Sequence, residues 1–196
     1  MGSEMCIRDR YQSLLKSNDY NLVYKKAIEY YNKGDYQRAM NLLDGVRSVF
    51  VGQAKAQNIA YYRAFCSYNM KDYQIASDLF KQFIQTYPES SFAEECLYMM
   101  GFCDYKASPK PRLDQQVTEK AIREFQLYLS RYPYSMRKDK VNTYMDEMRD
   151  KLSYKAYLSA KNYYLREHYK AAVISLQNCL CLLYTSPSPR DPKTSR

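Results

Sequence analysis

The side chains that most often carry acid–base or nucleophilic chemistry are sparse in this chain. His168 is the only histidine among the 196 residues, and it lies in the stretch REHYKAA, where a polar residue between two helices is ordinary. A histidine that acts as a catalytic base needs a substrate proton or a nucleophile within hydrogen-bond reach, and the sequence suggests no such partner. Glycine-rich phosphate loops and the G-x-S-x-G and H-E-x-x-H motifs do not occur. The sequence therefore predicts a protein that is not an enzyme.

Four cysteines lie in the regular part of the sequence: Cys66, Cys96, Cys103 and Cys179. Cys96 and Cys103 are seven residues apart on one predicted helix, so their backbones are separated by about 10 Å. A disulfide tolerates at most roughly 7 Å between Cα atoms. No C-x-x-C pair occurs, so the usual ligand spacing of a zinc site is missing. We predict that these cysteines are buried structural residues and that the protein uses no metal and no cofactor.

Tyrosine is the unusual residue type, with 23 copies and no tryptophan. Four aligned segments each carry Tyr at the same two places, seven residues apart, which puts both rings on one face of a helix. An apolar residue or Lys161 lies between them, and Asn69 and Lys106 follow the second tyrosine in two of the segments. We call these positions the tyrosine ladder; they are Tyr24, Ile28, Tyr31, Tyr61, Phe65, Tyr68, Asn69, Tyr98, Phe102, Tyr105, Lys106, Tyr157, Lys161 and Tyr164.

A repeated pair of helices has to position the ladder. The repeat is read from AIEYYNKGDYQRAMNLL (from Ala27), AFCSYNMKDYQIASDLF (from Ala64) and AKNYYLREHYKAAVISL (from Ala160), with a fourth copy split between GFCDYK and AIREFQLYLSRYP. Small residues let the paired helices approach closely, and large residues at helical spacing fill the space between pairs. Tyr-x-x-Ala at this period is typical of tetratricopeptide repeats. The predicted fold is an all-α tetratricopeptide-repeat superhelix (α-solenoid) of about four helix pairs.

The predicted domain covers 11–180, with repeats at approximately 20–53, 57–90, 92–135 and 137–180. First helices of such repeats line the concave side of the superhelix, so we expect the ladder to form a peptide-binding groove. The alternative is that these tyrosines only pack against the next helix. Residues 106–120 lengthen the turn inside the third pair, where we expect Asp114 to cap the second helix, and residues 136–152 extend the next helix.

Both ends of the sequence look foreign to the repeat. Residues 1–10, MGSEMCIRDR, and residues 181–196, which run through SPSPRDP, resemble translated sequencing-adapter read-through. We interpret them as an artefactual leader and an artefactual disordered tail, and we exclude them from reasoning about the fold. On this interpretation the natural protein extends beyond both ends.

The net charge and the mean hydropathy limit the classes of partner that the sequence predicts. The net charge is +9 and the mean hydropathy is −0.66, with 46% hydrophobic residues. No apolar run approaches the roughly 18 residues of a membrane-spanning helix. Because Lys and Arg are interspersed with Asp and Glu, as in DYQRA and EKAIREF, the charges favour solvated helix faces over nucleic-acid binding.

Several stretches together resemble one family of repeat proteins. They are YKKAIEYYNKGDYQRA, the segment from AYYRAFCSYNMKDYQ to MMGFCDY, RLDQQVTEKAIREFQLYLSRYPYS, and MDEMRDKLSYKAYLSAKNYYLREHYKAAV. Over about 11–180 the chain is similar to the BamD-type outer-membrane protein assembly lipoproteins, especially Bacteroidetes-like forms. The long turn with Leu-Asp-Gln and the extended helix carry the match, since generic repeats lack them.

The resemblance implies a lipoprotein held at the periplasmic face of the outer membrane by a lipid anchor that this chain lacks. It implies a scaffold in β-barrel assembly whose partners are a BamA-like barrel subunit and unfolded outer-membrane proteins, with no nucleic acid. Family members dock the barrel subunit largely through C-terminal repeats. Two alternatives remain open: another tetratricopeptide adaptor of the envelope or cytoplasm, and, more remotely, a helical RNA-binding or enzyme-associated domain.

Overall fold

The computed structural model describes residues 11–14 and 17–185, with side chains through residue 180. The helices with defined bounds are α1 Tyr20–Asn32, α2 Tyr36–Arg47, α3 Ala54–Asn69, α4 Tyr73–Thr86, α5 Ala93–Ala107, α6 Gln116–Arg131, α7 Lys138–Leu165 and α8 Tyr169–Thr185. No strand occurs in these ranges, which confirms the all-α prediction. The predicted artefactual leader and residues 186–196 of the predicted tail lie outside the described residues. Residues 181–185, which were assigned to the disordered tail, are the last turn of α8.

The chain divides into two compact units, Met1–Cys103 and Asp104–Arg196. In the first unit α1 packs on α2, α2 on α3 and α3 on α4. The small residues predicted to permit close approach are fully buried there: Ala27, Ala39, Ala64 and Ala76. Leu42, Leu43, Phe80 and Phe83 fill the space between the helices, and all four are buried as well. Burying a side chain of this size contributes about 1.5–3 kcal/mol.

Turns inside helix pairs repeat one backbone geometry. Gly34, Lys71 and Glu167 have left-handed φ values of 83°, 67° and 63°. The N–H of each donates to the carbonyl three residues earlier, and the following N–H donates to the carbonyl five residues before it, all at 3.0 Å. This is the Schellman arrangement, which satisfies carbonyls left open at a helix end. The same turn therefore closes two pairs of the first unit and the last pair of the second, although glycine occupies it only once.

The second unit contains the long turn between α5 and α6. Its predicted cap is wrong: α6 begins at Gln116 with Gln115 at the N-cap position, and Asp114 is exposed. The buried Gln115 amide donates to the carbonyls of Lys110 (2.8 Å) and Leu113 (3.2 Å) and accepts from the Thr118 hydroxyl (2.7 Å). An amide can bridge several backbone groups at once, and so Gln115 organises this turn where a carboxylate cap would satisfy only the helix end.

Helix α7 has 28 residues and serves two neighbours. Its first half packs on α6, where Phe125 stacks on Tyr144 with ring centroids 6.0 Å apart. Its second half packs on α8, where the Cys179 thiol donates to the carbonyl of Ser153 at 3.5 Å. Val141, Met145, Met148 and Ala160 are the buried residues along it. None of the described helices is both long and apolar enough to cross a bilayer.

Candidate functional site

The first unit carries nine ladder residues on three helices. Tyr24, Ile28 and Tyr31 lie on α1, Tyr61, Phe65, Tyr68 and Asn69 on α3, and Tyr98 and Phe102 on α5. Eight of them are half-buried, whereas Tyr98 is only 7% exposed. These residues therefore present part of their surface to solvent and use the rest for packing.

Aromatic rings of the ladder contact rings on the neighbouring helices. Tyr31 on α1 contacts Tyr62 on α3 with ring centroids 5.0 Å apart, in an edge-on geometry. Tyr68 on α3 lies 6.2 Å from Phe102 on α5. An edge-on pair such as Tyr31 with Tyr62 contributes about 0.5–1.5 kcal/mol beyond the area it buries. The first-unit ladder is thus an aromatic seam that also supports the stacking of its helices.

Tyr61 on α3 contacts several other rings of the first unit. Its ring lies 4.5 Å from Phe65 and 4.7 Å from Phe92. Its hydroxyl donates to the Glu95 carboxylate at 2.9 Å. Burial, followed by this hydrogen bond, raises the pKa of Tyr61 above its usual range. Tyr61 therefore stays a neutral donor at physiological pH, with its hydroxyl engaged inside the protein.

The polar groups beside the ladder are also organised. Burial raises the pKa of Tyr31 to about 12, and a hydrogen bond with Asn69 opposes that shift. The Asn69 amide donates to the carbonyl of Phe65 at 2.9 Å. Burial raises the pKa of Tyr24, and the Lys55 ammonium lies 5.9 Å from the centre of its ring. Hydroxyl and amide groups are accordingly held in fixed places along the half-exposed rings.

The second unit carries five ladder residues with a different distribution. Tyr105 on α5 is half-buried and stacks on Tyr144 with centroids 4.6 Å apart. Its hydroxyl donates to the Glu147 carboxylate, and this bond, with burial, raises the pKa of Tyr105 to about 12. Lys106 and Lys161 are exposed. Tyr157 and Tyr164 are 46% and 62% exposed on the second half of α7.

Sequence alignment missed Tyr144 and Glu147. The repeat period equates Tyr157 with Tyr98 and Tyr61, yet the ring that meets Tyr105 is Tyr144, thirteen residues earlier on the same helix. Because α7 is longer than the helix of a minimal repeat, either half of it can be aligned with the first helices of the other pairs. The alignment used the second half, which packs on α8. The sequence feature that could have identified Tyr144 and Glu147 is their i, i+3 spacing, which puts them on one face of the helix.

The cysteines and the histidine considered for chemistry show no sign of reactivity. Cys66, Cys96, Cys103 and Cys179 are buried free thiols, as predicted. Burial raises the pKa of Cys66 and of Cys96 to about 12, which suppresses the reactive thiolate. His168 is exposed in the turn before α8. Within the part of the chain that the structure describes, no cluster of His, Cys, Asp and Glu has the arrangement of a metal site.

Comparison with known proteins gives one family and a set of structural neighbours. Residues 16–186 match the model of a family described as YfiO, outer membrane lipoprotein. No curated protein matches the chain. Among solved structures, MamA 41-end from Desulfovibrio magneticus RS-1 covers 95% of this chain and 93% of its own, with 18% identity and a TM-score of 0.51. The MamA RS-1 ArsTM double mutant covers the same shares with 19% identity and a TM-score of 0.51. At these identities the likeness shows the fold alone, that of tetratricopeptide-like helical repeats.

Proposed function

The chain belongs to the YfiO family of outer membrane lipoproteins, and from that premise we propose that it is a non-catalytic scaffold of outer-membrane β-barrel assembly. Its partners are a BamA-like β-barrel subunit and unfolded segments of outer-membrane proteins. Its place is the periplasmic face of the outer membrane, with a lipid anchor in the full-length protein.

The observation that carries this proposal is the partial exposure of the ladder rings in both units. An unfolded barrel segment presents alternating apolar side chains and unpaired backbone groups. Tyrosine offers apolar area and a hydroxyl at low cost in side-chain entropy, which suits such a ligand. Phe65 and Tyr68 on α3 supply the rings, and the neighbouring Asn69 supplies an amide that lies next to them.

Ladder residues differ in how safely they can be removed. Tyr61 contacts several rings and Tyr98 is buried, so replacing either with Ala leaves a cavity that costs about 3–5 kcal/mol. A binding defect in such variants would be hard to separate from loss of folding. Tyr157 and Tyr164 are 46% and 62% exposed, and each contacts one other ring, that of Tyr154 or Tyr169. Their removal therefore costs less packing than removal of Tyr61 or Tyr98.

We expect Tyr157→Ala with Tyr164→Ala to weaken binding of an unfolded barrel segment about 5- to 10-fold, because about 1 kcal/mol is lost with the apolar contact of the rings. The measurement is fluorescence anisotropy of a labelled peptide that contains one transmembrane strand sequence. Tyr134→Ala with Tyr163→Ala is the matched control, since both side chains are exposed and neither belongs to the ladder. Unchanged affinity in the ladder variant, or an equal loss in the control, would exclude these tyrosines from the binding site.

A further inference from the structure

The positive charge of the chain is not shared equally between the two units. The described part of the first unit has nine Lys and Arg residues and nine Asp and Glu residues. From residue 104 to residue 180 the second unit has fifteen Lys and Arg residues and nine Asp and Glu residues. A local excess of six positive charges attracts anionic partners and orients their approach.

Two of these positively charged residues, Arg112 and Lys155, line a cavity between the long turn and α7. The cavity has a volume of about 410 Å³ and is lined by Pro111, Arg112, Lys155, Leu158, Ser159 and Asn162. Arg112, Ser159 and Asn162 are exposed, so the cavity is open to solvent. Its walls combine two cations, two apolar side chains, a hydroxyl and an amide.

The cations at this place lack carboxylate partners. Lys155 donates to the carbonyl of Leu113 at 3.0 Å, and Lys151, one turn earlier, donates to the Ser108 hydroxyl at 2.7 Å. Among the described residues, no carboxylate lies within 4.0 Å of the charged groups of Lys110, Arg112, Lys151 or Lys155. Partial burial lowers the pKa of Lys151, and the charge of the Glu147 carboxylate opposes that shift.

The wall of the cavity is held in place before any ligand arrives. Gln115 ties the carbonyls of Lys110 and Leu113 together, and these residues flank Arg112. Lys155 then fastens the same turn to α7 through the carbonyl of Leu113. A preorganised turn reduces the entropy lost on binding.

We propose that this cavity binds an acidic polypeptide segment, a site separate from the tyrosine ladder and beyond the scaffold function argued above. Arg112 binds a carboxylate in the two-pronged geometry that guanidinium groups favour, and Lys155 adds a second positive charge. Asn162 and Ser159 hydrogen-bond the peptide backbone, while Leu158 and Pro111 contact an apolar residue between the acidic ones. The cavity lining contains no aromatic ring on which a nucleobase could stack, which favours a peptide over a nucleic acid.

The test is anisotropy of a short fluorescein-labelled peptide of Glu residues interspersed with Leu, titrated with the full chain. Arg112→Gln with Lys155→Gln should weaken binding about 10-fold, the equivalent of two ion pairs at a partly exposed site. Glutamine removes the charge and keeps a polar side chain at both positions, and the melting temperature of the variant checks that the turn is retained. Arg123→Gln with Lys140→Gln removes the same net charge from exposed positions outside the cavity and should bind nearly as well as the parent.

Three results would overturn the proposal. A peptide with Gln in place of Glu that binds equally well would remove the role of the carboxylates. An equal loss in the Arg123 and Lys140 variant would reduce the effect to net charge. Binding of phosphatidylglycerol vesicles or inorganic phosphate without binding of the acidic peptide would assign the cavity to phosphate groups. The variant with Tyr157→Ala and Tyr164→Ala should retain the acidic peptide, so failure at the ladder and failure at the cavity are distinguishable.

Discussion

Each tyrosine side chain of the ladder has an aromatic ring and a hydroxyl group, and the two groups make different contacts. In the first unit the rings pack edge-on between helices, while hydroxyl groups such as that of Tyr61 bond to carboxylates. Tyr105 repeats that arrangement with Glu147 in the second unit. A buried phenol beside a carboxylate is stable only while it keeps its proton, because two negative charges would otherwise meet at low dielectric. Stability should therefore depend on the protonation of these residues at alkaline pH.

For Tyr31, whose pKa is raised mainly by burial, the direction in which stability changes with pH can be stated. Its pKa in the folded protein is raised from 10.0 to about 12, so the folded state binds more protons than the unfolded state between those values. Its contribution to stability is complete below pH 10.0 and is lost as the pH rises toward about 12. We expect Tyr31→Phe to flatten the decline in urea midpoint over this window, with Tyr134→Phe, on an exposed loop, as the control. Equally steep declines in Tyr31→Phe and the parent would contradict the assignment.

At the scale of the elements, the shared turn explains how different residues build similar helix pairs. The left-handed residue of the turn is glycine in the first pair, lysine in the second and glutamate in the last. For a residue with a Cβ atom this conformation costs about 1 kcal/mol, yet the hydrogen bonds of the helix ends are kept in all three. The turn is therefore set by the helices on either side of it rather than by glycine alone.

Lys71→Gly should raise the free energy of unfolding by about 0.5–1 kcal/mol, since glycine adopts the left-handed conformation without the Cβ penalty. Glu167→Gly should act in the same direction in the second unit. Urea unfolding followed by circular dichroism measures the shift in midpoint. Lys33→Gly is the matched control, because residue 33 has an ordinary right-handed φ of −82°, and glycine there should not stabilise. A stabilising Lys33→Gly would show that the effect does not come from the left-handed position.

The long turn before α6 gives a second prediction at the same scale. Gln115→Ala should lower the free energy of unfolding by about 1–3 kcal/mol, because it leaves the carbonyls of Lys110 and Leu113 and the Thr118 hydroxyl with fewer partners. Asp114→Ala, at the neighbouring exposed position, should change stability by less than about 0.5 kcal/mol. The reverse order of these two effects, measured by urea unfolding, would restore Asp114 as the residue that begins α6.

At the scale of the whole chain, family membership and charge distribution bear on the partners. The YfiO match spans most of the described residues, and the excess of Lys and Arg lies in the second unit. The ladder rings and the cationic cavity differ in chemistry, one apolar with hydroxyl groups and the other positively charged.

We expect the affinity-tagged full-length protein, extracted in mild detergent from its host envelope, to co-purify with a β-barrel subunit. Mass spectrometry of the eluate identifies that subunit, and an unrelated tagged lipoprotein controls for adhesion to detergent micelles. Recovery of other soluble adaptors or of RNA, with no barrel subunit, would favour one of the alternative functions over the proposed one.

The sequence by itself determined the helical class, the short turns inside the pairs and the buried alanines and cysteines. These follow from local rules: small residues at fixed intervals, apolar residues at helical spacing, and prolines that end helices. They are repeated in four copies, so each copy supports the others. The all-α tetratricopeptide class and the burial of Cys66 and Cys96 were accordingly predictable from residue types alone.

Only the tertiary structure decided which ladder residues remain exposed to solvent. Tyr98 and Tyr157 are equivalent in the repeat, yet one is buried and the other is largely exposed. That difference depends on neighbours distant in sequence and on the extra length of α7, which brings Tyr144 to Tyr105. The cavity at Arg112 and Lys155 likewise joins residues more than forty positions apart. Local patterns specify a helix and its apolar face, whereas exposure and charge compensation are properties of packing between elements.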